Sequence, residues 1–208
     1  MFITVEGPEG SGKSSICKQL FAVLKEKGFD VILTREPGGT PIAESIREVI
    51  LNKQNTAMDA RTEALLYTAA RRQHLVEKVW PALKEGKIVL CDRFLDSSLA
   101  YQGGARQLGI DAILNVNLFA TEGMYPDLTL LFDIPPELGM ERIAKNQNRE
   151  VNRLDLEKMS FHHQVRDTFL SLAKRFSERF VIIDASQPFE KVLQDTLEVV
   201  YKRLGEQK

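Results

Sequence analysis

The sequence predicts an α/β fold in which a parallel sheet of five strands is covered by helices on both faces. Five short apolar runs recur along the chain, and none alternates cleanly between apolar and polar residues. Such runs are typical of strands that are buried on both faces. Segments with helical spacing of apolar residues separate the runs. Alternating strands and helices imply a parallel sheet with right-handed crossovers.

The composition predicts one globular domain that spans residues 1–208. Apolar residues make up 43% of the chain, charged residues 27%, and the formal net charge is -1. These values are ordinary for a soluble globular protein. A chain so close to neutral has no global field that would favour nucleic acid or an anionic membrane, so we expect neither as a partner.

The cysteines and the chain start give expectations about location. Cys17 and Cys91 lie in apolar runs without CxxC spacing, which predicts buried free thiols and a reducing, cytoplasmic environment. The first apolar run is too short for a signal peptide, and Glu6 and a glycine follow it at once. No stretch approaches the ~20 apolar residues of a membrane span.

The first strand, Phe2–Val5, is an apolar run that leads into a glycine-rich loop. That loop reads Gly7-Pro8-Glu9-Gly10-Ser11-Gly12-Lys13-Ser14-Ser15, and helical spacing follows it up to Gly28. A GxxxxGK[ST] pattern between a strand and a helix predicts a nucleoside-triphosphate site. The glycines let backbone N–H groups surround phosphate oxygens. Lys13 can reach the β- and γ-phosphates, and the Ser14 hydroxyl can bind Mg²⁺.

The second strand, Val31–Thr34, ends in an arginine and a Pro-Gly-Gly turn. Arg35 can form two parallel hydrogen bonds with a phosphate. The turn either lets the backbone pass close to a ligand or is an ordinary turn. Thr40 is expected to cap the second helix, with Pro41 at its first position.

A long third helix is expected to begin after Asp59, to run toward Trp80 and to end by Gly86. On it, Tyr67 and Arg71 are four residues apart and share a face. Tyr67 could stack on a base while Arg71 donates to a base carbonyl. The alternative is a core tyrosine beside a surface arginine.

The third strand, Ile88–Cys91, is followed by Asp92 and Arg93. Ligands of open parallel sheets gather at the carboxyl ends of the strands. Asp92 could therefore bind Mg²⁺, directly or through water, and Arg93 could bridge the donor and acceptor phosphates.

Two further pairs, Ser97/Tyr101 and Ser98/Gln102, have helical spacing after this strand. Gln102 can both donate to and accept from an amide-like base edge, which suits a pyrimidine with adjacent N–H and C=O groups.

The fourth strand, Leu128–Phe132, precedes a segment that carries Arg142, Arg149 and Arg153. This segment is either a solvated helix face or a mobile lid whose arginines close over the transferring phosphoryl group. The polar stretch 146–155 has no apolar periodicity, which favours the lid.

The rest of the chain predicts one amphipathic helix around Phe161–Phe176, a fifth strand at Phe180–Ile183 and a helix at its C-terminal end. His162 and His163 are expected on the surface, and His74 is expected to be structural.

Taken together, these segments resemble the bacterial thymidylate kinases of the P-loop nucleoside-monophosphate kinase family. The resemblance spans nearly the whole chain. The matching segments are the phosphate loop, Thr34–Thr40, Arg61–Tyr67, Ala70–Arg72, Asp92–Gly103, Tyr125–Thr129 and Asn152–Asp155.

The resemblance implies a three-layer fold with strand order 2-3-1-4-5, a mobile lid at about 142–155 and a homodimer. It implies transfer of a phosphoryl group from MgATP to dTMP, which gives dTDP on the way to dTTP. The transfer is expected to be in line and to need no covalent intermediate.

The resemblance also assigns the site residues. The ATP-binding set comprises Gly7, Pro8, Glu9, Gly10, Ser11, Gly12, Lys13, Ser14, Ser15 and Arg142. The dTMP-binding set comprises Glu9, Arg35, Glu36, Arg47, Tyr67, Arg71, Arg93, Ser98, Tyr101 and Gln102. The Mg²⁺-binding residues are Ser14 and Asp92, and the catalytic residues are Lys13, Arg93, Arg149 and Arg153. Positions 8–11 carry no arginine, so a lid arginine is expected to be catalytic, and the sequence leaves open which one.

Two other functions stay open at this point. Asp92 and Arg93 also fit another nucleoside or nucleoside-monophosphate kinase of the same fold. A nucleotide-dependent switch without kinase activity would need only the phosphate loop, although the guanine-reading NKxD motif is absent. The sequence also leaves open whether the Glu36–Pro37 bond is cis.

Overall fold

The sheet has the predicted number of strands and the predicted strand order. The structure, a computed structural model, describes residues 1–145 and 153–205. Its five strands are β1 (Phe2–Glu6), β2 (Val31–Arg35), β3 (Ile88–Asp92), β4 (Leu128–Asp133) and β5 (Phe180–Asp184). All neighbours pair in parallel, in the order β2-β3-β1-β4-β5. The predicted α/β class and strand order are therefore confirmed, and β1 with its loop lies at the centre.

Helices cover both faces of this sheet and form two apolar cores. On one face, α1 (Lys13–Glu26) and α9 (Phe189–Leu204) contribute Leu20, Leu24 and Val200. On the other face, α3 (Ala60–His74), α6 (Ile110–Thr121) and α8 (Met159–Arg175) contribute Ala64, Ile113 and Phe169. The fold is thus three layers deep, as expected for a sheet whose strands are apolar on both faces.

Two helical stretches switch from α-helical to π-helical hydrogen bonding. The helix α3 continues as a π-helical stretch, Leu75–Val79, and then as α4 (Trp80–Lys84). After β3, α5 (Leu95–Ser98) continues as a second π-helical stretch, Leu99–Ala105. The two pairs that showed helical spacing span this junction, with Ser97 and Ser98 in α5 and Tyr101 and Gln102 in the π-helical stretch.

The helix starts confirm one capping prediction and correct another. Oδ1 of Asp59 accepts from the backbone N–H groups of Arg61, at 2.9 Å, and Thr62, at 3.2 Å. Thr40 does precede α2 (Pro41–Leu51), but its hydroxyl makes no capping hydrogen bond. The hydroxyl oxygen is instead buried, without a hydrogen-bond partner among the residues that the structure describes.

The helix α6 was not predicted from the sequence, and α7 (Pro136–Lys145) was anticipated only as the helix-face interpretation of the segment that carries Arg142. The helix α6 starts after Gly109 without a side-chain cap, so the usual start signal is missing. The lid segment is described only at its ends, in α7 and in a 3₁₀ turn at Arg153–Leu156.

Both cysteines are buried and free, as predicted. In the described part of the chain, none of the helices combines the length and the apolar character that a membrane span requires.

Candidate active site

A cleft of about 650 Å³ opens at the carboxyl ends of β1, β2 and β3. Most of the predicted site residues line it: Glu9, Gly10, Gly12, Lys13, Ser14, Ser15, Arg35, Glu36, Arg47, Tyr67, Asp92, Arg93, Ser98, Tyr101, Gln102 and Arg142. Of the predicted residues that the structure describes, Gly7, Pro8, Ser11, Arg71 and Arg153 do not line it. Arg149 lies outside the described residues. The fold therefore brings a set of residues distant in sequence into one cavity.

The phosphate loop adopts the backbone that its glycines permit. Gly7, Gly10 and Gly12 have φ of 142°, 73° and 82°, conformations that disfavour any other residue. Nζ of Lys13 donates to the carbonyl of Pro8, at 2.7 Å, and to the Ser11 hydroxyl, at 3.0 Å. The ammonium group is thus held over its own loop, where a phosphate would compete for it.

Burial sets the protonation of Lys13. Its side chain is buried, and this burial, helped by the neighbouring charge of Arg93, lowers the pKa of Lys13 to about 8. The carboxylates of Glu9 and Asp92 oppose the shift. An incoming phosphate would add negative charge and stabilise the protonated amine.

The phosphate loop is seated directly on α7. A Cβ atom on Gly10 would overlap the backbone of Gly139, and a Cβ on Gly139 would overlap the carbonyl oxygen of Glu9. The two glycines therefore allow a backbone-to-backbone approach between the loop and the helix that leads into the lid.

Ser14 and Asp92, the predicted Mg²⁺ ligands, are in contact. The Ser14 hydroxyl donates to Oδ2 of Asp92, which is the last residue of β3. A hydroxyl and a carboxylate at the mouth of a phosphate loop are oxygen donors of the kind that Mg²⁺ takes together with substrate phosphates and water. This donor pair fits Mg²⁺.

Arg93 turns back across the loop from the end of β3. Its φ is 71°, a left-handed conformation that is uncommon outside glycine. Its guanidinium donates to Oε1 of Glu9 at 2.7 Å, and to the hydroxyls of Ser97 and Tyr101 at 3.2 Å each. Together with the carbonyl of Gly7 at 3.4 Å, these acceptors fix a cation beside the phosphate loop.

A buried carboxylate, which sequence reasoning missed, holds the turn at Arg93. Oε1 of Glu6 accepts from the backbone N–H of Phe94 at 2.7 Å, and Oε2 accepts from Ser97 at 2.5 Å. Burial, and next the charge of Asp96, raise the pKa of Glu6 to about 8. A glutamate at the end of an otherwise apolar strand was the available signal.

The segment after β2 orients two arginines around one carbonyl. The Glu36–Pro37 peptide bond is cis, which answers the question that the sequence left open. The carbonyl of Pro37 accepts from Arg35 at 2.9 Å and from Arg47 at 3.0 Å. Glu44 pairs with Arg35 at 3.0 Å and also accepts from the backbone N–H of Gly39, at 2.6 Å. The Pro-Gly-Gly turn therefore presents cations to the cleft.

Arg71 is almost fully buried, with 2% of its surface exposed, so it is not a surface arginine. Its Nε donates to Glu36 at 2.8 Å, and its Nη1 donates to the Ser98 hydroxyl at 3.0 Å and to Oδ1 of Asn117. Asn117 lies on the unpredicted α6, so sequence reasoning missed it. The acceptors of Arg71 come from three elements.

Glu63 links the far end of the cleft to the lid segment. Its carboxylate accepts from Gln102 at 2.8 Å, from Arg106 at 3.3 Å, and from Arg153. Nε of Arg153 also donates to the carbonyl of Ile50 at 3.2 Å. The structure thus places Arg153 against Glu63, while Arg142, which lines the cleft, donates to the carbonyl of Ala185 at 2.8 Å.

One histidine prediction is wrong. His162 is buried, with 2% of its surface exposed, because the apolar side of α8 is wider than the spacing of its aromatic residues suggests. His163, its neighbour, is exposed and contacts Glu137 at 2.9 Å, as predicted for a surface residue.

The chain is similar to known proteins of one family. A sequence model of the family described as thymidylate kinase matches residues 5–196. The chain belongs to the thymidylate kinase family. The resemblance predicted from the motifs is thereby confirmed.

Individual thymidylate kinases match over nearly their whole length. The one from Geobacillus sp. (strain WCH70) is 59% identical over 203 residues, which cover 98% of this chain and 97% of the relative. The one from Anoxybacillus flavithermus is 62% identical over 195 residues, 94% of this chain and 93% of the relative. A crystal structure of thymidylate kinase from Ehrlichia chaffeensis superimposes with a TM-score of 0.80 at 33% identity, and covers 96% of this chain and 98% of that chain.

Proposed function

We propose that this thymidylate kinase family member transfers the γ-phosphoryl group of ATP to the 5′-phosphate of dTMP and so forms dTDP. The observation that carries the proposal is that one cavity joins the phosphate loop to Tyr67, Ser98 and Gln102, side chains suited to a base. Arg93 and Asp92 line the same cavity. A donor phosphate and an acceptor nucleotide can therefore be held in one enclosed space.

The residues divide the work between positioning and charge. The loop N–H groups and Lys13 hold the donor phosphates, while Arg93, with Arg35 and Arg47, holds the acceptor phosphate. Tyr67 stacks on thymine, and Ser98 and Gln102 lie along its edge. Arg71 does not line the cleft, but it donates to Ser98 and would reach the same edge through its remaining group, Nη2. No nucleophilic side chain is needed, because an in-line transfer requires only alignment and stabilisation of the developing charge.

Ser14 and Asp92 would hold Mg²⁺, which when bound neutralises charge on the donor phosphates. Arg142 would lie against adenine. Arg149 and Arg153 stay the candidate lid arginines. The contact of Arg153 with Glu63 favours Arg149 as the one that reaches the phosphates.

We further propose a cytoplasmic location and a homodimer, and exposed apolar side chains on the contacting helices α2, α3 and α6 support the homodimer. Leu65 on α3 is 58% exposed, and Phe119 on α6 is 89% exposed. Ile42 and Val49 on α2, and Val76 after α3, are also at least 44% exposed. Light scattering after gel filtration should show a dimer that Phe119→Asp, paired with Leu65→Asp, converts to a monomer.

The activity is tested by ADP release from MgATP with each nucleoside monophosphate in turn. Release with dTMP, matched by dTDP in the products, is the expected result. Release with a different acceptor only would favour another kinase of the same fold. ATP binding without transfer to any acceptor would favour a switch and contradict the proposal.

A further inference from the structure

A linear chain of buried hydrogen bonds ends on Arg71. Oγ1 of Thr34 lies 2.7 Å from Nε2 of His74, and Nδ1 of His74 lies 2.9 Å from Oε1 of Glu36. The other oxygen of Glu36, Oε2, accepts from Nε of Arg71 at 2.8 Å. All four residues are at least nine-tenths buried, and the surface of His74 is 0% exposed. Such a buried chain is strong because water does not compete for its members.

The carboxylate of Glu36 decides which ring nitrogen of His74 is the donor. A carboxylate can only accept, so Nδ1 of His74 carries the hydrogen that points at Glu36. In the neutral ring Nε2 then accepts from the Thr34 hydroxyl. Glu36 is thereby held by a donor on each oxygen, and the plane of its carboxylate is fixed.

This arrangement decides where the guanidinium of Arg71 sits. Nε and Nη1 are engaged by Glu36, Ser98 and Asn117, while Nη2 makes no hydrogen bond to the residues that the structure describes. Arg71 and His74 are neighbours on one face of α3, whereas Glu36 reaches them from the loop after β2. The carboxylate therefore ties the donors of α3 to the edge of the sheet that carries Arg35.

We propose that His74 is a positioning residue for base recognition: through Glu36 it sets the orientation of Arg71 toward the carbonyl of a pyrimidine. The inference rests on the proposed function. It assigns a specificity role to a histidine that sequence reasoning treated as structural, and it makes Glu36 the connecting residue rather than a direct ligand of dTMP.

The same residues also form a cluster with Cys91, which raises the question of a metal ion. Ligand atoms of Glu36, His74 and Cys91 lie within 4.8 Å of one another. Both Glu36 oxygens are already engaged, and Cys91 Sγ donates to the carbonyl of Arg93 at 3.1 Å. Burial also raises the pKa of the Cys91 thiol, which disfavours the thiolate that a metal would need. The geometry therefore favours the hydrogen-bonded chain.

The test compares two substitutions at His74 in the full-length enzyme. His74→Phe removes the donor to Glu36, whereas His74→Asn keeps an N–H donor near the position of Nδ1. The matched control is His163→Phe, at an exposed histidine on α8. For each variant, kcat and KM are measured for dTMP, dCMP and ATP, well below its melting temperature.

We expect His74→Phe to raise the KM for dTMP by about 10- to 100-fold, in line with loss of one hydrogen bond to a charged group. The KM for ATP should change less than threefold, and the preference for dTMP over dCMP should fall, because the 4-amino group of cytosine offers Arg71 no acceptor. His74→Asn should recover most of the KM for dTMP, and the control should match the wild type.

Two results would overturn the inference while leaving the proposed function intact. One is a His74→Phe enzyme with reduced stability but an unchanged KM for dTMP and unchanged base preference, which would make the role purely structural. The other is an equal loss with Phe and Asn. If the wild-type enzyme itself does not use dTMP, the proposed function fails first, and this result is visible before any variant is made.

Discussion

Nη2 of Arg93 lies 2.7 Å from Oε1 of Glu9, so the cation that ends β3 is fastened to the acidic residue of the phosphate loop. Tyr101 completes this contact, since its hydroxyl lies 3.0 Å from the same oxygen of Glu9. The protein's own side chains therefore hold this cation in position, which is the arrangement expected for electrostatic preorganisation.

Arg93→Lys should lower kcat by about 100- to 1,000-fold, the usual effect of losing a preorganised donor. A lysine keeps the charge, but its compact ammonium lacks the planar fork of donors with which Arg93 contacts Glu9 and Ser97 through different nitrogens and could also hold a phosphate. Steady-state kinetics with dTMP and ATP would measure this. Arg203→Lys, at a surface arginine that bonds the carbonyl of Glu178, is the control. A kcat within threefold of the wild type would contradict the expectation.

The pH dependence of ATP use should reflect Lys13. Its pKa, lowered to about 8 by burial and Arg93, means that the free enzyme loses the ammonium charge above that pH. We therefore expect kcat/KM for ATP to be flat below about pH 8 and to fall as pH rises further. In Lys13→Arg the residual activity should not show this fall, since arginine stays protonated. Lys25→Arg, on the exposed side of α1, should keep the wild-type profile.

Glu6→Gln should become more stable relative to the wild type as pH rises. The folded pKa of Glu6, about 8, lies above the ordinary glutamate value of 4.5. Between these values the folded protein holds a proton that the unfolded chain has released, so wild-type stability from this group is complete below about pH 4.5 and is lost toward pH 8. Glutamine has no such loss. Urea denaturation at several pH values would show the difference, and parallel curves for the two proteins would refute it. Glu26→Gln, at an exposed site, is the control.

Gly139→Ala should destabilise the protein by about 1–3 kcal/mol, the usual cost of forcing atoms into a packed site. Inside a helix the same change ordinarily stabilises by up to about 1 kcal/mol. The sign reverses here because the added Cβ would overlap the carbonyl oxygen of Glu9. Thermal and urea denaturation measure the sign, and displacement of the loop should raise the KM for ATP as well. A more stable variant with an unchanged KM for ATP would contradict the prediction and show that the loop can move away from α7 at little cost.

The sequence predicted the strands because each apolar run carries its own signal, and it predicted the sheet order only through the resemblance. It placed Arg71 on the right face of α3, but it could not supply Glu36, Ser98 and Asn117 as its acceptors. These residues come from three other segments, and no local period relates them to Arg71. Glu6 was missed for a similar reason, because a carboxylate after a buried apolar run indicates only the end of the strand when the sequence is considered alone.

Burial misled the sequence interpretation at other positions. Thr40 occupies the capping position but its hydroxyl is buried, and His162 lies on the buried side of α8 instead of on its polar side. In both cases the residue type and its spacing fit a surface role, while packing of neighbouring elements decided the outcome. Tertiary packing commonly overrides local propensity in this way.

The approach of the phosphate loop to α7 also bears on how this protein can change over time. The backbone of Gly139 fills the space that a side chain at Gly10 would need, and the carbonyl of Glu9, next to Gly10, fills the space that a side chain at Gly139 would need. A mutation elsewhere in the same segment cannot make room for a side chain at either glycine, because the atoms in the way belong to the other segment. The loop and α7 therefore constrain each other's sequence. In a library of variants selected for cells whose growth depends on this enzyme, both glycines should be retained while the residues around them vary.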